Sequence, residues 1–211
     1  MAYTRTITFA DGTVLHQWQL TEPSSRLAEM CTEELLDASC EAKAESRRKE
    51  ILGERLLMKA IFGIDTPILH NADRAPYIAD SDVHLSVAHT KGLLVVALNH
   101  HHSIGVDVEQ YHRRVLNVRD GFLNEAERRW LAPGDELAHI VAWTAKEAIF
   151  KTIGQRSLVK NYREEISLHP FSTPCIGQQM THKGTFKAWD FYLLTTLADT
   201  HLLTLCSTYR L

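Results

Sequence analysis

Between Gly105 and Glu109 the chain alternates valine with carboxylate, as Gly105-Val106-Asp107-Val108-Glu109. A strand places successive side chains on opposite faces, so this segment predicts a strand with Asp107 and Glu109 together on one of them. Residues 135–153 predict a long helix ended by Gly154. Inside it stands Trp143-Thr144-Ala145-Lys146-Glu147-Ala148-Ile149-Phe150-Lys151. Glu147 and Lys151 are four apart and share a helical face, with Trp143 one turn earlier on it. Two carboxylates from a strand and one from a helix, with lysines beside them, make a hard, oxygen-rich site. Such a site suits Mg²⁺ and a phosphate substrate.

The elements around these two segments are mixed. Strands are predicted at 4–10, 16–20, 83–88, 93–98 and 104–109, and again at 166–168, 186–194 and 201–206. The run 93–98 is apolar throughout and reads as a buried strand. Residues 32–62 carry the longest helical pattern, with Gly63 as its stop and a charged stretch at 41–50. One helix, or two with a break near residues 39–46, fit that span equally well. Asn124 followed by Glu127 reads as a capping box opening a short helix. Residues 115–121 and 155–162 look loop-like.

At 211 residues the chain can bury a substantial core, as one domain or as two small ones. A net charge of −3 argues against a broad nucleic-acid surface. Cys31, Cys40, Cys175 and Cys206 are scattered, which fits reduced thiols better than a disulfide framework or a zinc site. No apolar run approaches a membrane span, and the N-terminal residues do not read as a signal peptide. No membrane partner and a cytoplasmic location are therefore expected. His100, His101 and His102 would point alternately on an extended segment, a poor ligand face, and read as an exposed junction.

Gly-Val-Asp-Val-Glu followed by Trp-Thr-x-Lys-Glu-Ala-x-x-Lys resembles the paired signature of the 4′-phosphopantetheinyl transferases, in particular the type that activates surfactin synthetase. The resemblance runs from about residue 47 to about residue 170. It implies an α/β fold of two similar subdomains forming an intramolecular pseudo-dimer, residues 1–100 on the nucleotide side and 101–211 carrying the metal and catalytic motifs. It implies coenzyme A as substrate and an acyl- or peptidyl-carrier protein as partner. The reaction would move 4′-phosphopantetheine to a carrier serine and release adenosine 3′,5′-bisphosphate.

The same resemblance assigns residues. Asp107, Glu109 and Glu147 would ligate Mg²⁺; Glu147 and Lys151 would be catalytic. His89 and Thr90, in Ser86-Val87-Ala88-His89-Thr90, would meet coenzyme A, with Ala88 where the family usually has serine. Arg48 and Lys49 would reach a nucleotide phosphate. Arg74 stands one place before the family's basic position, which is Ala75 here, so either Arg74 swings in or a contact is lost. Glu127 could join the metal or only cap its helix, and Arg156 could add charge after the catalytic helix. Lys146 could share the charge-offsetting task of Lys151 or simply solvate the helix as a surface lysine. The segment 111–119, with Arg113, Arg114, Val115, Leu116 and Val118, reads as a docking loop for the carrier. The alternative function is a non-catalytic coenzyme A or carrier-protein binding module of the same fold.

Overall fold

The structure, a computed structural model, describes residues 4–33, 36, 42–112 and 114–211. Its first part is a four-stranded antiparallel sheet. Strands β1 (Thr4–Thr8), β2 (Val14–Trp18), β5 (His84–Thr90) and β6 (Leu93–Asn99) lie in the order β1-β2-β6-β5. Helices α1 (Ser24–Glu29) and α2 (Glu45–Phe62) cover one face. A small hairpin, β3 (Leu69–His70) with β4 (Pro76–Tyr77), stands apart from that sheet.

The second part begins with β7 (Ile104–Gln110). Three short helices and one long helix follow: α3 (Arg119–Phe122), α4 (Glu125–Trp130), α5 (Glu136–Ile153) and α6 (Tyr162–Glu165). Strands β8 (Ile166–Leu168), β9 (Gln179–Phe186), β10 (Trp189–Leu197) and β11 (His201–Ser207) complete a sheet ordered β7-β11-β10-β9-β8. Mixed helices and antiparallel sheets bear out the α/β class.

The layers explain why some strands read as apolar on both faces. Leu94, Val96 and Leu98 of β6 pack under α2, while Leu93, Val95 and Ala97 point the other way. There they meet Ile104, Val106 and Val108 of β7 and Leu203 and Leu205 of β11. The two sheets therefore share an inner core, and α2 and α5 cover the outer faces. A strand buried on both faces loses its polar alternation. Strand β7 keeps its alternation because its outer face carries Gly105, Asp107 and Glu109 beneath α5.

Gly105 allows that arrangement. A β-carbon there would lie 2.0 Å from the Ala148 carbonyl oxygen and 2.6 Å from Thr152 Oγ1, so α5 crosses β7 at a distance only glycine permits. Helix α5 itself is sharply bounded. The Asp135 side chain accepts from the Ala138 N–H at 2.9 Å, and Gly154 closes the helix with φ 68°.

Of the two readings of residues 32–62, the structure agrees with a break: residues 42–44 are not helical, α2 starts only at Glu45, and α1 precedes the span at Ser24–Glu29. Within that span, residues 34, 35 and 37–41, with Cys40, lie outside the described residues. The strand expected over 186–194 crosses a hairpin turn. Trp189 pairs with Phe186, and Lys187 takes φ 55° at the turn without any glycine to mark it.

Candidate active site

Three side chains of α5 meet the carboxylate face of β7. Trp143 donates its indole N–H to Glu109 Oε1 at 3.0 Å. Lys151 Nζ donates to Asp107 Oδ1 at 2.9 Å, and to the carbonyls of Val106 at 2.9 Å and Val87 at 3.3 Å. Glu147 lies between them on the same helical face. Asp107 and Glu109 are 8% and 9% exposed, so both carboxylates are largely withdrawn from water. The shared faces expected of strand and helix are thus met, and the helix runs antiparallel to the strand, Lys151 over Asp107 and Trp143 over Glu109.

Burial pushes the Glu147 carboxyl pKa up, and the negative charge of Asp107 adds to the push. The Tyr162 hydroxyl, Lys151 and Arg156 act in the opposite direction. A carboxyl whose proton affinity a neighbouring carboxylate raises belongs to a donor set whose repulsion a divalent cation relieves, and all these donors are hard oxygens. In that sense the residues fit Mg²⁺. Among the described residues, however, no group of three or more His, Cys, Asp or Glu side chains is gathered closely enough to hold a metal ion. The three carboxylates do not form a closed ligand set by themselves.

Lys151 also lines a cleft of about 250 Å³ that opens between α2, the β3–β4 hairpin, β5 and the end of α5. Arg47, His70, Arg74, His89 and Arg156 line it as well. Glu50 ties two of these together, 3.1 Å from Arg47 Nη1 and 3.3 Å from His89 Nδ1. Burial pushes the His89 pKa down, Glu50 works against that, and Arg47 and Lys151 add to it. Asp73 and Ser157 are next in sequence to the cleft residues Arg74 and Arg156, and the Asp73 carboxylate accepts from the Ser157 N–H at 3.0 Å and from its hydroxyl at 3.2 Å. That contact pins the β3–β4 loop to the turn after α5.

The neighbouring positions separate residues that the sequence grouped together. Arg48 donates to the Ala42 carbonyl and Lys49 to the Leu20 carbonyl, and neither lines the cleft. Arg47 does, with Ile51 and Glu54, at the i, i+4, i+7 spacing of one helical face. That spacing was present in the sequence and could have found Arg47. Arg74 lines the cleft, from a backbone at φ 60° held by the Asn71 carbonyl on its N–H. Thr90 sits at the β5–β6 turn and does not line the cleft. Ala88 faces the inner core at 3% exposure, so its methyl removes no polar group from the cleft. His70 was not anticipated.

Glu127 serves the fold, not the carboxylate face. It completes the capping box with Asn124 at 2.9 Å and accepts from the Leu168 N–H at 2.8 Å. It also lies 2.7 Å from Lys146 Nζ, and both side chains are essentially unexposed. Lys146 is therefore not a surface lysine. Its ammonium donates to the carbonyls of Phe122 at 2.6 Å and Arg163 at 3.0 Å. Burial disfavours the charge of both partners, and each partially restores the other's.

In the expected docking segment Val115 is 1% exposed and belongs to its own core, whereas Val118 is 53% exposed. Arg113 lies outside the described residues. His102 is not an exposed junction residue either. Its Nε2 lies 2.9 Å from Asp11 Oδ2, with side chains 9% and 2% exposed. No helix among the described residues is long and apolar enough to cross a membrane.

Residues 103–206 match the 4′-phosphopantetheinyl transferase superfamily. The matched stretch begins just before β7 and ends within β11, so it contains the carboxylate strand, α5 and the sheet beneath them. The chain is also similar to the 4′-phosphopantetheinyl transferase gsp of Aneurinibacillus migulanus, 23% identical over 116 residues. The similarity covers 51% of this chain and 48% of that protein, so the chain spans about half the length of the curated relative it matches.

Proposed function

The chain belongs to the 4′-phosphopantetheinyl transferase superfamily, and on that premise we propose that it transfers 4′-phosphopantetheine from coenzyme A to a serine of an apo acyl- or peptidyl-carrier protein, with Mg²⁺. The observation that carries this reading is the placement of Lys151. One ammonium reaches Asp107 and at the same time lines the basic cleft, so a pyrophosphate seated in the cleft would meet the carboxylate face.

Each residue then has a task. Arg47, Arg74, His89 and Arg156 would receive the nucleotide phosphates of coenzyme A. Asp107, Glu109 and Glu147 would hold Mg²⁺, which when bound neutralises charge on phosphoryl oxygens. Trp143 fixes one oxygen of Glu109 and so sets the orientation of its carboxylate. Glu147 takes the proton from the carrier serine as the serine Oγ forms its bond to the β-phosphorus. The bond from that phosphorus to the bridging oxygen breaks, and its electron pair leaves with adenosine 3′,5′-bisphosphate. Lys151 offsets the charge that gathers on that leaving group. Arg114 and the exposed Val118 remain for the carrier surface. A cytoplasmic location belongs to the same reading and rests on the scattered cysteines.

Label in the pantetheine half of coenzyme A should pass to an apo-carrier protein. Chelation with EDTA should stop the transfer and added Mg²⁺ should restore it. Coenzyme A binding without transfer to any carrier would favour the non-catalytic binding module instead.

A further inference from the structure

The Tyr162 hydroxyl is buried and makes no hydrogen bond of full geometry, although it lies beside the Glu147 carboxyl. Its ring packs edge-on against Phe150 of α5, with centroids 5.5 Å apart. Its chain neighbour is held from the same helix, because the buried Lys146 ammonium donates to the Arg163 carbonyl at 3.0 Å. Asn161 caps the short helix α6 that begins at Tyr162. Backbone and ring are therefore fixed against α5 over residues 146–150, on the side where Glu147 projects. A buried hydroxyl without a partner costs stability, and such groups in a native fold call for an explanation. Phenylalanine would fill the same space without that cost.

We propose that Tyr162 is a positioning residue, whose O–H donates to the Glu147 carboxylate and fixes which oxygen of Glu147 faces the attacking serine. The inference rests on the reading of Glu147 as the base. Lys146 then has a second use: by gripping Arg163 it holds the tyrosine in reach of its neighbour in sequence, Glu147. A carboxylate with two equivalent oxygens and a free torsion is a poorly aimed base, and a donor on one oxygen removes that freedom.

Tyr162→Phe deletes only the hydroxyl. It should lower kcat about 10- to 100-fold, the range seen when a group orienting a catalytic residue is removed. KM for coenzyme A and its calorimetric affinity without metal should stay the same. On a Glu147→Gln background the same substitution should have no further effect on kcat, because the oxygen it orients is no longer a base. If Glu147→Gln removes turnover while Tyr162→Phe leaves kcat intact, the positioning role is overturned and the role of Glu147 stands. A fall in kcat of the same size on the Glu147→Gln background would make Tyr162 a packing residue and overturn it too. If Glu147→Gln itself keeps full turnover, the base assignment fails first and takes this inference with it.

Discussion

Lys146 and Glu147 are adjacent in the chain and belong to different environments. One pairs with the buried Glu127, the other lies towards Asp107. Helical geometry separates neighbours by about 100°, enough to give adjacent charged residues different partners. The Lys146–Glu127 pair is fully buried, and losing one partner leaves the other charge uncompensated. Lys146→Met should therefore destabilise the fold by about 3–5 kcal/mol in urea denaturation. Adding Glu127→Gln, which keeps a capping side chain without the charge, should recover part of that loss. A surface lysine would show neither effect. Asp107, Glu109 and Glu147 were legible in the sequence because strand and helix periods fix their faces without reference to the rest of the chain. The burial of Lys146 was not legible, because lysine on a helix is solvated by default and only the positions of Phe122 and Arg163 show otherwise.

At the scale of elements, the phase of α2 decides which of three consecutive basic residues serves the cleft. Leu52 and Leu56 turn that helix towards the first sheet, which carries Arg47, Ile51 and Glu54 to the cleft and leaves Arg48 and Lys49 on backbone carbonyls. Arg47→Ala should raise KM for coenzyme A about 10-fold, the value of one charge-assisted contact. Arg48→Ala should leave that KM near the wild-type value. Equal losses from both would place the nucleotide elsewhere on α2. The same reasoning accounts for Gly105, whose identity follows from the crossing of α5. Its place at the head of the valine–carboxylate strand was visible in the sequence, but its purpose was not, because it depends on a helix more than forty positions away. The hairpin at Lys187 escaped for a simpler cause: its turn lacks the Asn-Gly or Asp-Gly pair that usually marks one.

At the scale of the whole molecule, two sheets share an inner core while the cleft opens between α2, the β3–β4 hairpin and the end of α5. Beneath α5, a thread of polar groups crosses the second sheet. Thr144 Oγ1 lies 2.9 Å from Thr204 Oγ1, which lies 2.8 Å from Thr195 Oγ1, which lies 2.9 Å from His182 Nε2. Burial pushes the His182 pKa down to about 4. An unfolded histidine takes up its proton near pH 6.5. The stability that His182 contributes is thus complete above pH 6.5 and is lost as the pH falls from there towards 4. Between pH 7 and pH 5 the wild type should lose about 2 kcal/mol more than His182→Gln, read from urea midpoints and slopes at the two pH values. Equal losses in both proteins would show that the ring is protonated in the folded state. The central claim concerns the cleft and the carboxylate face acting together, and the intact mass of an apo-carrier protein incubated with coenzyme A and Mg²⁺ tests it most directly. The account predicts one phosphopantetheine added to one serine for each adenosine 3′,5′-bisphosphate released, with a loss on the order of 100-fold or more in Asp107→Ala. Adenosine 3′,5′-bisphosphate released without any gain in carrier mass, or full transfer by Asp107→Ala, would contradict it.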